Sequence, residues 1–297
     1  MASLKYVAIS GVLAIVVLTA IVQYFNNSTR TASLPDTSAV LAEKVSVNSG
    51  TRIEVKRLVT HNLPLRPDSA WQLLSPVAPY IDALIAMARS GNNEARYVLA
   101  RNLGYCYYSP KSAPQYEQKR EQALRYSDSD VAVTRIDEQY HYCSDIKPSA
   151  FEGFIDHLEA SADAGFVLAQ EHYGTISTDL YIKVNGLSGL ERNALIARRE
   201  AFENKKVLFL DRAMRVGSIK AMARLSWIAS NQQGSHGLVE AYAINNTIMR
   251  LTDDNTLYNR YAWLNERLEQ RLTQADILQA LAQSQALIAT VDKTRTL

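Results

Sequence analysis

Two cysteines are the side chains of this sequence best placed to do covalent chemistry. Cys106 and Cys143 are its only cysteines, and they lie 37 residues apart. Two lone cysteines in an oxidising compartment tend to pair, which favours a disulfide. Equivalent positions on stacked helices, however, lie about 8 to 10 Å apart, whereas a disulfide needs Cα atoms within about 7 Å. The sequence is compatible both with a Cys106–Cys143 disulfide and with two free thiols, and we favour the disulfide.

The histidines do not have the spacing of a metal or catalytic site. His141 lies near Cys143, and His157 precedes His172 by 15 residues, but neither arrangement matches H-x3-H or C-x2-C on a helix. Glu171 lies beside His172, yet nothing in the sequence identifies a nucleophile that would converge on this pair. The chain also has no P-loop, G-x-S-x-G or G-x-G-x-x-G motif. We therefore expect no catalytic, cofactor-binding or metal site, and we expect the protein not to be an enzyme.

The composition favours a helical protein with a sizeable core. Of the 297 residues, 47% are hydrophobic, while 12 glycines and 8 prolines are low counts that argue against a sheet-rich fold. The net charge is +2 with both signs mixed, so the sequence has no broad basic field of the kind that binds nucleic acid.

Three glycines, Gly91, Gly165 and Gly217, each follow an apolar stretch of helical periodicity. Apolar residues stand ten, seven and three positions before each glycine, which places them on one face of a helix. Glycine suits the left-handed backbone that ends a helix. Small residues four and nine positions later would let the second helix lie close to the first. Each glycine therefore predicts a turn within a helix pair, and such pairs must stack to bury their apolar faces.

A period of 37 residues extends this pattern to two further positions. Gly91 and Gly165 are separated by twice that period, and the midpoint is Asp128. Adding the period to Gly217 gives Asp254. Aspartate tolerates the left-handed region better than most residues. We therefore expect degenerate helix pairs with turns at Asp128 and Asp254.

The string GNNEARYVLARNLGYCY, which begins at Gly91, resembles the second helix of a Sel1-like repeat, a variant of the tetratricopeptide helix pair. The string LVEAYAINNTI, with Ala241 and Tyr242, is similar to the first helix of that family, although the paired alanines of the family pattern are diluted here. The resemblance covers residues 77–270. It implies an all-α fold, an α/α solenoid of about four to five helix pairs, and a scaffold or adaptor that holds other proteins.

The N-terminal segment predicts a membrane anchor. Val7 to Val22 is uncharged and apolar, with a length between that of a signal-peptide core and a full membrane span. No clear small-x-small cleavage site follows directly, since the polar residues 26–30 come next, so we favour an uncleaved anchor over 1–25, with a cleaved signal as the alternative. Residues 26–67 are predicted to be a flexible linker, and 68–297 the repeat domain. We expect an inner-membrane anchor with a periplasmic repeat domain in a bacterial-type envelope, or a soluble periplasmic protein if the leader is cleaved.

Partner contacts are expected on two parts of the repeat domain. The interval from Gly165 to Gly217 exceeds 37 residues by 15, which predicts a protruding loop or short extra helix within 175–206. There are two interpretations of this insertion: it binds a partner, or it is an addition to a surface loop that the fold tolerates and that has no function.

Polar positions of the first helices are expected to line a groove, with an aromatic cluster nearby. The candidate contact residues are Asp82, Arg89, Tyr107, Tyr108, Asp156, Asp163 and Arg215.

The sequence thus favours a membrane-anchored envelope adaptor that binds a protein or peptide, with no cofactor and no nucleic acid. The alternative is a periplasmic enzyme that acts on cell-wall material through residues 175–206. A third hypothesis is a structural envelope protein that self-associates along its solenoid.

Overall fold

The computed structural model describes residues 63–126, 130–232 and 234–295. Within these ranges the chain forms twelve α-helices and no β-strand, so the all-α prediction is confirmed. Three short 3₁₀ helices (Ala78–Tyr80, Pro148–Phe151 and Leu187–Gly189) accompany them. The helices are α1 (Ile81–Arg89), α2 (Asn93–Tyr107), α3 (Ala113–Tyr126), α4 (Asp130–Tyr142), α5 (Phe154–Asp163), α6 (Val167–Tyr173), α7 (Thr178–Val184), α8 (Arg192–Arg215), α9 (Ile219–Ser230), α10 (Ser235–Leu251), α11 (Asn255–Glu269) and α12 (Gln274–Arg295).

The predicted anchor at 1–25 and most of the predicted linker lie outside the described residues. Among the helices that are described, none combines the length and the apolar character that crossing a bilayer requires.

Three helix pairs turn at the same kind of glycine. Gly91, Gly165 and Gly217 have φ values of +91°, +88° and +91°, in the region that side chains with a Cβ avoid. After each glycine, the next backbone N–H donates to the carbonyl five residues earlier, as in a Schellman motif. The turns therefore end α1, α5 and α8 in one way and direct the chain into α2, α6 and α9.

The apolar positions before each glycine form most of the core of the first helices. Leu84, Leu158 and Leu210, seven residues before their glycines, are at most 1% exposed. Of the nine residues at the ten, seven and three positions, eight are buried, and Val207 is the exception at 41% exposure. Burial of one face in each first helix is the result expected for helix pairs that stabilise one another.

Successive pairs pack in chain order. α1 packs on α2, α2 on α5, α5 on α6, α6 on α8, α8 on α9 and α9 on α10, and both α11 and α12 pack on α10. Gly174, the small residue nine positions after Gly165, packs against the next pair. A Cβ on Gly174 would lie 2.5 Å from Leu210 Cδ2 on α8. The prediction that this small residue brings the two helices of one pair together was therefore wrong at this position.

Helices α3 and α4 do not form a layer of this stack. α2 packs directly on α5, and the main contact of α3 is with α4, where the Tyr116 and Tyr140 rings stack at 4.3 Å. Tyr116 Oη also donates to Asp137 at 2.8 Å. Asp128, the expected turn residue of a degenerate pair, lies outside the described residues, between the ranges of α3 and α4. The two helices pack on each other, but they do not continue the stack, because the exposed or half-buried side chains of α3 offer no apolar face to a further neighbour.

Asp254 is not a left-handed turn residue. Its φ is −84°, and its Oδ1 accepts the Thr256 and Leu257 N–H groups at 2.7 and 3.3 Å, so it caps the start of α11. The buried residue of the first turns of α11 is Tyr261, whereas Tyr258, four residues after Asp254, is 48% exposed. The 37-residue period therefore located the connection between α10 and α11, which ends at Asp254. The left-handed backbone expected at Asp254 was wrong, because the aspartate stabilises the start of α11 through its side chain.

Residues 175–206 fold back onto the domain. They contain α7, a 3₁₀ turn and the first half of α8, and the Tyr181 and Phe202 rings stack at 4.1 Å. Of the two alternatives for this segment, the extra helix is the one observed. No protruding loop forms in this described segment, because Tyr181 of α7 packs against Phe202 of α8.

Candidate functional site

The candidate contact residues of the first helices are exposed, but two of them are already paired. Asp163 Oδ2 accepts from Lys205 at 3.1 Å, and Arg215 Nε donates to Asp211 at 2.8 Å. The second interaction raises the pKa of Arg215. Arg215 also lines a cavity of about 390 Å³ between α8, α10 and α12. The other three, Asp82, Arg89 and Asp156, are exposed on α1 and α5.

The two tyrosines at the end of α2 have different environments. Tyr107 is half-buried, and its ring lies 5.9 Å from Phe154 and 6.5 Å from Phe151. Tyr108 is 54% exposed and lines a cavity of about 330 Å³. Tyr107 therefore belongs mainly to the core, while Tyr108 is available at the surface.

Three cavities lie along the second helices of the pairs rather than the first. The first, of about 330 Å³, lies between α2, α6 and α7; the second, of about 320 Å³, lies between α2, α6 and α9. The third, of about 420 Å³, lies between α9, α10 and α11. We call this surface the second-helix face. Its main aromatic and charged lining residues are Trp71, Tyr97, Arg101, Tyr105, Tyr108, Glu171, His172, Lys220, Arg224, Trp227, Arg260, Arg267 and Arg271.

Arg101 lines both of the first two cavities, together with Trp71, His172 and Thr175. Its Cζ lies 4.6 Å above the ring of Trp71, in cation–π geometry. Its Nη1 lies 2.8 and 2.7 Å from the two ring nitrogens of His172. Burial, and then the Arg101 charge, lower the pKa of His172 to about 3. His172 is therefore neutral at physiological pH and can accept a hydrogen bond from Arg101.

Glu171 and His172 are neighbours in sequence but do not act on one group. Glu171 Oε1 accepts from Ser218 Oγ at 2.6 Å, and Ser218 Oγ in turn caps α9 by accepting the Ala221 N–H at 3.0 Å. This serine therefore holds a helix start in place. The His172 ring instead meets Arg101. Within the described residues, no group of three or more His, Cys, Asp or Glu side chains is arranged to hold a metal ion.

Helix α9 joins the second and third cavities. Lys220 and Arg224 line the second cavity, and Trp227 lines the third. The Arg224 Cζ lies 4.5 Å above the Trp227 ring, and the indole is 56% exposed. An exposed indole beside a cavity offers a large, rigid contact area to a partner.

A disulfide holds the N-terminal edge of this face in place. Cys106 at the end of α2 is bonded to Cys143 after α4, with Cα atoms 5.4 Å apart. The adjacent Tyr142 Oη donates to Asn102 and accepts the Leu73 N–H at 2.9 Å. Asn102 Nδ2 donates to the Trp71 carbonyl at 2.7 Å. The position of the Trp71 ring over Arg101 therefore depends on the attachment of α4 to α2.

The sequence predicted Tyr108 of this face as a contact residue but none of its cations or tryptophans. For several of the others a signal exists, because they lie three, seven or ten positions after a turn glycine, on one stripe of the second helix. The stripe contains Leu168 and Lys220 at three, His172 and Arg224 at seven, and Arg101, Thr175 and Trp227 at ten.

In the comparisons with known proteins, no family model, no curated protein and no solved structure matches this chain.

Proposed function

We propose that this protein is a membrane-anchored adaptor of a bacterial-type cell envelope, and that its second-helix face binds a protein or peptide partner. In this proposal the helix pairs form a Sel1-like solenoid. The similar glycine turns at Gly91, Gly165 and Gly217 support it, as does the packing of successive pairs in chain order.

The observation that carries the proposal is the lining of the second-helix face. Trp, Tyr and Arg dominate the energetics of protein interfaces, because they offer large contact areas with polar ends. Trp71, Tyr108, Arg101, Arg224 and Trp227 line its cavities. Cavities of 320 to 420 Å³ are large enough to take side chains of a partner.

The placement in the envelope rests on two further observations. The apolar stretch from Val7 to Val22 has the character of an anchor or export signal. The Cys106–Cys143 disulfide supports an oxidising compartment, because cytosolic thiols are kept reduced. Both are consistent with a repeat domain on the periplasmic side of the membrane.

Two matched tryptophans provide the test. Trp227 lines the third cavity and is 56% exposed, whereas Trp263 on α11 is 52% exposed and has Arg267 at 4.8 Å above its ring. The full chain with Trp227→Ala or Trp263→Ala is used for quantitative affinity capture from membranes of its own cells. We expect Trp227→Ala to reduce recovery of the specific partner at least about tenfold, as for an interface hot spot. We expect Trp263→Ala to retain the partner. Equal recovery with both variants would contradict the proposal.

A further inference from the structure

We infer that the partner segment recognised by the second-helix face is acidic, with several carboxylates along an extended stretch of chain. This inference rests on the proposed function, and it specifies the chemistry of the partner that this function leaves open.

The charges of the second-helix face are strongly unbalanced. Six cations line the three cavities, and only two carboxylates, Asp68 and Glu171, accompany them. Glu171 already accepts the hydroxyl hydrogen of Ser218. The whole chain carries a net charge of only +2, so the excess of positive charge is a local property of this face. The six cations are Arg101, Lys220, Arg224, Arg260, Arg267 and Arg271.

These cations also lack the ion pairs that similar side chains make elsewhere. Within the described parts of the chain, none of the six has a carboxylate oxygen within 4.0 Å. By contrast, Lys205, Arg212 and Arg215 of α8 all pair with carboxylates. The second-helix face therefore presents cations without direct ion pairs, although Arg224 interacts with Glu203 at longer range, and an acidic partner would complement this charge.

The third cavity shows the excess of positive charge most clearly, since its lining has three arginines and no carboxylate. Arg260 and Arg267 are separated by two helical turns on one side of α11, and Arg271 lies in the turn that follows the end of this helix at Glu269; all three line the cavity. Carboxylates of a bound segment would complement this group of three cations.

The shape of the face favours a protein segment over a membrane surface. Its three cavities succeed one another along α2, α6, α9 and α11, and Trp71, Arg101 and His172 are shared by two of them. Successive recesses suit alternate side chains of an extended chain, which rise about 3.3 Å per residue. A lipid surface is flat and would not enter them.

The test uses labelled peptides and charge-matched variants of the full chain. The probe is a peptide of about twelve residues that alternates Glu with Leu and Tyr, long enough to cross more than one cavity when extended. A second peptide has Gln at each Glu position, a third has Lys there, and phosphatidylserine vesicles provide a fourth probe. The variant is Arg267→Gln with Arg271→Gln. The control is Arg192→Gln with Arg198→Gln, which removes the same charge from exposed positions on α8.

We expect the Glu peptide to bind at least about tenfold more tightly than the Gln peptide, and to weaken as salt is added. We expect the variant with Arg267→Gln and Arg271→Gln to weaken this binding about fivefold to tenfold, and the α8 control to change it less than about twofold. Equal binding of the Glu and Gln peptides, equal effects of the two double variants, binding of vesicles but not peptides, or no binding of the Glu peptide would each overturn the inference. If one of these occurs while partner capture still depends on Trp227, the inference fails and the proposed function stands.

Discussion

The guanidinium carbon of Arg101 lies 4.6 Å above the ring of Trp71, and this contact joins α2 to the segment that precedes α1. The Arg101 Nε is buried without a hydrogen-bond acceptor, and so is the Nε of Arg224, which stacks on Trp227 in the same way. Stacking on an indole covers Nε and leaves the ends of the guanidinium for other contacts. The same arrangement thus occurs twice on the second-helix face, in the second and third cavities.

The disulfide should contribute strongly to stability. Replacing Cys106 and Cys143 by Ala removes a crosslink across 37 residues. We expect the free energy of unfolding to fall by about 2 to 4 kcal/mol, mainly because the unfolded chain gains entropy. Urea unfolding measures this change. A reductant should lower the free energy of unfolding of the wild type to a similar degree and leave that of the double variant unchanged. If reductant did not change the stability of the wild type, the expectation would be contradicted.

The left-handed turns should be sensitive to the loss of glycine. Gly165→Ala introduces a Cβ at φ +88°, although no heavy atom lies within 4 Å of that Cβ. We expect a loss of about 1 to 2 kcal/mol from backbone strain alone. Gly189→Ala is the matched control, since its Cβ also meets nothing within 4 Å and its φ is not positive. Equal stability of the two variants in urea unfolding would show that the turn does not require glycine.

The contact between Gly174 and α8 should also be sensitive to size. A Cβ on Gly174 would meet three carbons of the buried Leu210 side chain at 2.5 to 2.9 Å. We expect Gly174→Ala to lower the free energy of unfolding by about 1 to 3 kcal/mol. Adding Leu210→Val should cost less in the Gly174→Ala background than in the wild type, because the smaller side chain relieves the overlap. Strict additivity of the two changes would contradict this packing.

His172 should make stability depend on pH. Its folded pKa of about 3 lies below the ordinary value of 6.5, so protons bind the unfolded state preferentially between these values. The contribution of this group to stability should be complete above pH 6.5 and fall as the pH decreases toward 3, with an upper bound of about 5 kcal/mol. Burial also lowers the pKa of His157, which adds to the slope in the same direction.

The test of this pH dependence is the slope of unfolding free energy against pH. His172→Gln, which retains an acceptor for Arg101, should reduce the slope between pH 6.5 and 3 relative to the wild type. Identical slopes for the wild type and His172→Gln would show that the burial of His172 does not disfavour its protonation.

Helix-pair periodicity and glycine chemistry predicted part of the fold well. Leu84, Leu158 and Leu210 could be placed in the core because they recur seven residues before glycines that end helices. The period of 37 residues carried less information, since α3 and α4 occupy one period without joining the stack. The spacing between two residues does not say whether the helix between them has an apolar face to bury, and α3 has no such face.

The candidate site could be predicted only in part. Tyr108 was identified from its aromatic cluster, whereas Arg101 and Trp71 were not, because their contact joins residues 30 apart through a segment without helical periodicity. The sequence instead predicted partner contacts at the charged residues of the first helices. Lys205 already pairs with Asp163 there, and such pairing between helices is invisible in a linear sequence.

The central claim is that partner binding occurs on the second-helix face, and site-specific photo-crosslinking in cells tests it most directly. A photo-reactive amino acid replaces Tyr108 or Trp227 on that face, or Asp82 on the exposed side of α1. We predict that Tyr108 and Trp227 positions yield the same crosslinked protein, while the Asp82 position does not. Crosslinking at Asp82 with none at Tyr108 and Trp227 would contradict the account.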